Sequence, residues 1–276
     1  MCIRDRHWSS DITEPLAARL AGIPWVYTKK AMSWGSPKLW TLRSKLSSRI
    51  IVLNTDMIPR FFQDIKSKVE LIYLGVDIEK YVPQKKEYHT PLGHTFEKED
   101  FVVVTVANLV PIKGVEYLID AINLIDDSRI KLLIVGNNAN EYGQSLIANN
   151  KNKNIVFIDK QLDVRPYHAV ADVFAFPTKT SWEGFPVAPV EAMSSERIVI
   201  GSRVEGVREV LANYNKFMFE SKNVTEIAEK LKWIQAMTVD ERKTYAKKMR
   251  QTATESFSIK VCLDHHEAFY RRVLRK

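Results

Sequence analysis

Phe101-Val102-Val103-Val104-Thr105-Val106-Ala107 is a continuous, mostly β-branched run with no polar alternation. A strand of that composition has to be covered on both faces, as happens inside a parallel sheet flanked by helices. The next segment fits that layer: Val115, Leu118, Ile119 and Ile122 recur at i, i+3, i+4 and i+7, one face of a helix packing back onto the sheet. Four further apolar segments, at 132–135, 155–158, 173–176 and 198–200, alternate with helix-length or loop pieces. The alternation predicts a doubly wound α/β domain extending to about residue 220. Three helical segments follow, the last over 258–274 with a basic end.

The same alternation is present, less regularly, toward the N-terminus. Ile12, Leu16, Ala17 and Leu20 have helical spacing and stop at Gly22, Trp25-Val26-Tyr27 and 50–53 read as short strands, and 69–74 is a third strand closed by Gly75. The polar stretch 83–100, with Pro83, Pro91 and Gly93, reads as a boundary. The expected organisation is therefore a partial N-terminal Rossmann-like domain over 1–83, a C-terminal domain over 84–256, and a final helix over 257–276 returning toward the N-terminal domain. Residues 1–6 are charged, lack the apolar core of a signal peptide and do not read as a strand.

Charge is unevenly placed. The chain carries 41 Lys and Arg against 33 Asp and Glu, yet residues 15–55 contain no acid while holding Arg19, Lys29, Lys30, Lys38, Arg43, Lys45 and Arg49, with Trp25, Trp34 and Trp40 among them. Such a face suits an anionic partner, whether membrane surface, phosphate-rich substrate or nucleic acid, although a simply solvated face has the same composition. No nucleic-acid-binding motif accompanies it, so no nucleic-acid partner is expected. No apolar run is long enough to span a bilayer. Cys2 and Cys262 are too few for a disulfide framework or a zinc site, as in a protein of a reducing compartment.

Motifs narrow the chemistry. No two of the ten glycines are separated by one residue, so the dinucleotide fingerprint is absent. Gly201 and Gly206 have phosphate-loop spacing, but Val207 stands where that loop needs lysine. There is no GxSxG, no DxD and no His-x3-His. Two segments remain, each directly after an expected strand, at the edge where α/β sheets bind ligands. One, Thr178-Lys179-Thr180-Ser181-Trp182-Glu183-Gly184-Phe185-Pro186, runs into a helix that starts near Pro189 and would aim unpaired N–H groups at an anion. Glu183 and Glu191 flank that start; even fully helical, the spacing puts them about 12 Å apart, too far to grip one atom. The other, Asn108-Leu109-Val110-Pro111-Ile112-Lys113-Gly114, sets a lysine before a helix N-terminus, where a cation is unfavourable unless an anion joins it. Taken alone, a solvated lysine, a loop glutamate and a first-turn helix glutamate account for these residues equally.

Together the two segments strongly resemble the retaining nucleotide-sugar glycosyltransferases of the GT-B fold, the large group 1 family. Its EX7E motif is matched by Glu183 and Glu191 with Gly184-Phe185 and Ala192-Met193; its strand-end phosphate segment is matched by the Asn108-to-Lys113 spacing; and Tyr73-Leu74-Gly75-Val76-Asp77 looks like its pre-linker motif. The resemblance implies two Rossmann-like domains, the N-terminal one incomplete. It implies that Lys113 binds the donor diphosphate and stabilises the departing phosphate, and that Glu191 accepts hydrogen bonds from the ribose. Glu183 would lie by the transferred sugar, with N–H groups of Gly184 and Phe185 on sugar and diphosphate. Asn108 would lie beside the phosphates, and His7 looks like the N-domain histidine that contacts the donor sugar.

The implied reaction is transfer of a sugar from a nucleotide-sugar donor to a glycan or lipid-linked acceptor, with retention and with no metal or other cofactor. The implied setting is cytoplasmic, peripheral to the anionic inner face of a membrane. Three positions depart from the family pattern: Asn108 replaces an arginine, Ser195-Glu196-Arg197 a small Gly-Pro stretch, and Glu205-Gly206 a Gly-Gly. The strands and glycine-rich acceptor loop that the family places before His7 are absent from the sequence, as in a fragment of a longer enzyme. A truncated or non-catalytic nucleotide-sugar-binding module and a nucleotide-sugar epimerase are the alternatives.

Overall fold

The computed structural model describes residues 3–4, 11–179 and 183–275. By contacts the chain divides into two compact units: Met1–Gly75 with Ser181–Phe185 and Ile259–Lys276, and Val76–Thr180 with Pro186–Ser258. The division thus falls at Gly75, ahead of the polar stretch read as a boundary. The reason is that Val76 donates its N–H to the Phe257 carbonyl (2.8 Å) and bridges to Ser258, both of the second unit.

The first unit contains β1 (Ile3–Arg4), α1 (Thr13–Leu20), β2 (Trp25–Lys29), α2 (Pro37–Leu46), β3 (Arg49–Val52), α3 (Met57–Phe61) and β4 (Val69–Leu71). Its strands form a parallel sheet in the order β1-β2-β3-β4, so their carboxyl ends share one edge. Ile3–Arg4 pairs with Trp25 and Val26, which corrects the reading of residues 1–6 as non-strand; two residues are too few to show a period. In α1 the stripe Leu16 and Leu20 is exposed, and burial falls on Pro15 and Ala18. Periodicity gives a helix, but the neighbour decides which face is covered, and here small residues allow close approach.

In the second unit, β5 (Phe101–Val106), α4 (Val115–Ile125), β6 (Ile130–Val135), α5 (Glu141–Asn149), β7 (Ile155–Ile158), α6 (Arg165–Val170), β8 (Val173–Phe176), α7 (Val187–Ser194), β9 (Ile198–Ser202), α8 (Val207–Val210) and β10 (Met218–Phe219) alternate along the chain. The strands form a parallel sheet in the order β10-β9-β8-β5-β6-β7. Val102, Val103 and Val104 are wholly buried, as are Val115 and Leu118 on α4, so the β-branched run is covered on both faces as its composition requires. The strand order reverses between β5 and β8, which locates the ligand crevice of such a sheet at their carboxyl ends. The sequence did not show β10, again a two-residue strand.

Helices α9 (Val224–Gln235), α10 (Val239–Phe257) and α11 (Ile259–Leu274) follow. Thr238 and Glu241 form a reciprocal capping box that fixes the start of α10. By contrast α11 belongs to the first unit, where Phe269 and Val273 join a buried cluster with Val26, Ile51 and Ile72. Among the described residues, no helix is long and apolar enough to cross a membrane.

Candidate functional site

In the second unit, Asn108 and Lys113 lie just beyond β5, at the reversal of strand order. Pro111–Lys113 is a single 3₁₀ turn, and Gly114 caps α4 in the left-handed region at φ 65°. A Cβ on Gly114 would come 2.2 Å from the Pro177 carbonyl, so glycine lets this turn press against the chain leaving β8. Two bonds hold the approach: Lys179 N–H to the Ile112 carbonyl (2.8 Å) and Thr178 Oγ1 to the same oxygen (3.1 Å). Lys113 is thereby held half-buried, its Nζ 5.4 Å from the centre of the Phe176 ring at the end of β8. Burial pushes its pKa down to about 8. A desolvated ammonium beside a helix N-terminus is costly, and an anion between the two offsets both penalties. Asn108 is exposed on the same edge.

Glu191 lies in the second turn of α7, not the first, because that helix starts at Val187 with Pro186 as its cap. Pro186 has no side chain that could cap the first N–H groups of α7. Glu191 is half-buried, and burial raises its pKa against the hydrogen bond from the Tyr81 hydroxyl and the field of Lys80. Tyr81 is 8% exposed and its phenol is pushed up by burial first and by Glu191 next. Arg250 secures this pair by donating to the carbonyls of Tyr81 (3.1 Å) and Ser194. Beneath it, Ser195 Oγ donates to the Glu191 carbonyl (3.0 Å) and pairs with His168 Nδ1 (3.1 Å). Burial drives His168 down to about 3, so that imidazole is neutral and structural. Sequence reasoning missed Tyr81 as a site residue, and its only signal was its place four residues after Asp77 of the pre-linker motif.

Glu183, Gly184 and Phe185 are grouped by contacts with the first unit, although the sequence reading placed them within 84–256. They lie against the carboxyl ends of three parallel strands. Glu183 bridges to Ala31, just past β2; Gly184 accepts from Asn54 Nδ2 (2.7 Å), just past β3; and the Phe185 ring stacks on Tyr73, just past β4, at 5.4 Å. A Cβ on Gly184 would sit 2.1 Å from the Lys30 carbonyl, so only glycine fits. His7 lies outside the described residues. Among the described residues, no three His, Cys, Asp or Glu side chains are grouped to hold a metal ion.

The family model for glycosyl transferases group 1 matches residues 91–254, more than half of the chain. This protein belongs to the glycosyl transferases group 1 family. Its fold is that of the GT-B glycosyltransferases. It is 27% identical over 235 residues to the UDP-Gal:α-D-GlcNAc-diphosphoundecaprenol α-1,3-galactosyltransferase of Escherichia coli, covering 76% of this chain and 59% of that protein. It is 24% identical over 249 residues to the N,N'-diacetylbacillosaminyl-diphospho-undecaprenol α-1,3-N-acetylgalactosaminyltransferase of Campylobacter jejuni, covering 86% of this chain and 64% of that one. The chain thus spans less than two thirds of the length of these relatives. Anabaena HepE in complex with UDP superposes with a TM-score of 0.84 at 20% identity, over 98% of this chain and 78% of that one. A glycosyltransferase from Rickettsia africae gives 0.83 at 17%, over 100% of this chain and 77% of that one.

The basic segment of this group 1 family member does not form the single face that its sequence suggested. Arg43 and Lys29 are buried at 1% and 4% exposure. Arg43 pairs with Glu14 (3.8 Å) under the Trp25 ring, and Lys29 lies under Phe61, Trp34 and Trp40. Burial, helped by the charge of Arg60, lowers Lys29 to about 8. Arg19, Lys30, Lys38 and Lys45 of the segment stay exposed, and on α2 Lys38, Leu39, Leu42 and Lys45 line one side.

Proposed function

We propose that this protein transfers a sugar from a UDP-sugar to a lipid-linked diphosphate acceptor with retention of configuration. The observation that carries the reading is Lys113, held half-buried at the N-terminus of α4 where the strand order reverses, with Glu191 on the helix that follows β8. In this reading Lys113 neutralises the donor diphosphate and the charge that builds on it as the glycosidic bond breaks. The N–H groups at the start of α7 share that load, preorganised dipoles that need not reorient during the reaction. Glu191 accepts from the ribose hydroxyls. Glu183 and the N–H groups of Gly184 and Phe185 hold the sugar, Asn108 lies beside the phosphates, and His7 contacts the sugar. Positioning and electrostatic stabilisation then supply the rate, with no resident metal or other cofactor.

Uracil as the base and a diphosphoundecaprenol-type acceptor are supported by the activity for which the E. coli relative is named and by the UDP complex of HepE. A cytoplasmic enzyme resting on an anionic membrane surface would use Lys38, Leu39, Leu42 and Lys45 of α2, apolar and basic on one exposed side. The test is incubation with UDP-galactose and a synthetic GlcNAc-diphosphate-lipid, with the product anomer read by NMR. An α-linked disaccharide supports the reading; a β-linked product, or only hydrolysis of the donor, contradicts it.

A further inference from the structure

Asn54 is wholly buried, carries no charge and follows β3 at the carboxyl edge of the first unit's sheet. Its two amide atoms have separate partners. Oδ1 accepts the N–H of Met57 (3.0 Å), a local bond that starts α3. Nδ2 donates to the carbonyl of Gly184 (2.7 Å), 130 positions away in the chain, and also approaches Met32 Sδ at 3.4 Å. The local bond explains an Asn, Ser or Asp here. It does not explain why the side chain must also reach Gly184.

A trans peptide is planar, with its C=O and N–H pointing in opposite directions. No described peptide bond is cis. Fixing the Gly184 oxygen on Asn54 therefore fixes the direction of the Phe185 N–H, which points away from Asn54. The rest of the cradle removes the remaining freedom. Glu183 is bridged to Ala31, the Gly184 backbone is pressed on the Lys30 carbonyl, and the Phe185 ring is stacked on Tyr73 at an interplanar angle of 28°. Lys29, whose Nζ donates to the carbonyls of Ala31 and Ser33, holds the chain that makes two of these contacts.

We propose that Asn54 is a positioning residue for the donor sugar, aiming the Phe185 N–H and holding Glu183 in place through the Gly184 carbonyl. The proposal rests on the reading above, in which residues 183–185 take the sugar while Lys113 and Glu191 take the nucleoside diphosphate. It predicts a split that general loosening of the fold would not produce. Losing Asn54 weakens binding of the sugar part of the donor and spares binding of the nucleotide.

The test measures dissociation constants for UDP and UDP-galactose in the parent, Asn54→Ser, Asn54→Ala, Lys113→Ala and Glu191→Ala chains, with circular dichroism to establish folding. Serine can keep the bond to Met57 N–H but is too short to reach Gly184, so Asn54→Ser isolates the long-range bond even if Asn54→Ala fails to fold. The expected result for Asn54→Ser is about tenfold weaker UDP-galactose binding, with UDP binding within about twofold of the parent. An unchanged ratio of the two constants, with Lys113→Ala and Glu191→Ala both impaired for UDP, overturns the role of Asn54 alone. Unimpaired UDP binding in Lys113→Ala and Glu191→Ala overturns the underlying reading, and the role of Asn54 falls with it.

Discussion

Lys113 ties donor binding to pH in a way that can be calculated. Its folded-state pKa of about 8 means that the ammonium is about nine-tenths populated at pH 7 and about one-tenth populated at pH 9. If UDP binds only the charged form, the apparent dissociation constant is the intrinsic one divided by that fraction. UDP affinity then falls about tenfold between pH 7 and pH 9. The terminal phosphate does not confuse the window, because its second ionisation lies near 6. Stability moves the opposite way. The folded value lies below the ordinary 10.5, so the unfolded chain binds more protons between about 8 and 10.5, and this group's contribution to stability rises with pH across that window. Isothermal calorimetry from pH 7 to 9 in buffers of different ionisation enthalpy measures both affinity and proton uptake. Lys29 also titrates near 8, so Lys113→Arg is the control: a guanidinium stays charged throughout. A parent with pH-independent UDP affinity, or a slope that survives in Lys113→Arg, refutes the reasoning.

Three further outcomes follow from the same geometry. Tyr81→Phe removes the hydrogen bond that opposes the upward shift of Glu191, so UDP binding should weaken as pH falls from 7 toward 5 more steeply than in the parent, read as dissociation constants across that range. Asn108→Arg places a cation on the exposed edge beside Lys113 and should tighten UDP binding about tenfold, measured by the same titration at constant ionic strength. Glu196 holds φ at 58°, a conformation that costs a non-glycine residue about 1 kcal/mol, so Glu196→Gly should stabilise the chain by about that amount in urea unfolding.

The departure noted at residues 195–197 thus has a local consequence: Glu196 occupies a left-handed position where the resemblance leads one to expect a small residue. Much of the second unit was legible because its signals are local. The β-branched run 101–107 could only be a covered parallel strand, and the apolar period of 115–122 could only face it. That Lys113 and Glu191 follow β5 and β8 at the sheet's carboxyl edge was legible from those strands, whereas the roles proposed for them rest on the resemblance to the family motif. The cradle around Gly184 was not. Asn54 to Gly184, Ala31 to Glu183 and Tyr73 to Phe185 join residues more than a hundred positions apart, and no local period or spacing encodes such a pairing. The charge count of 15–55 misled for a related reason. It assigned Arg43 and Lys29 to a surface, whereas rings of Trp25, Trp34 and Phe61 cover them.

The most direct test of the donor site is a thermal-shift titration with UDP, GDP and ADP and their sugars, run on the parent, Lys113→Ala and Glu191→Ala. A ligand at a hundred times its dissociation constant stabilises by about 2.7 kcal/mol, which for a domain near this size raises the midpoint by about 5–10 °C. The predicted result is stabilisation by UDP and UDP-galactose, absent with GDP and ADP and lost in both variants. A shift that survives both substitutions, or none with any nucleotide, contradicts the site described here.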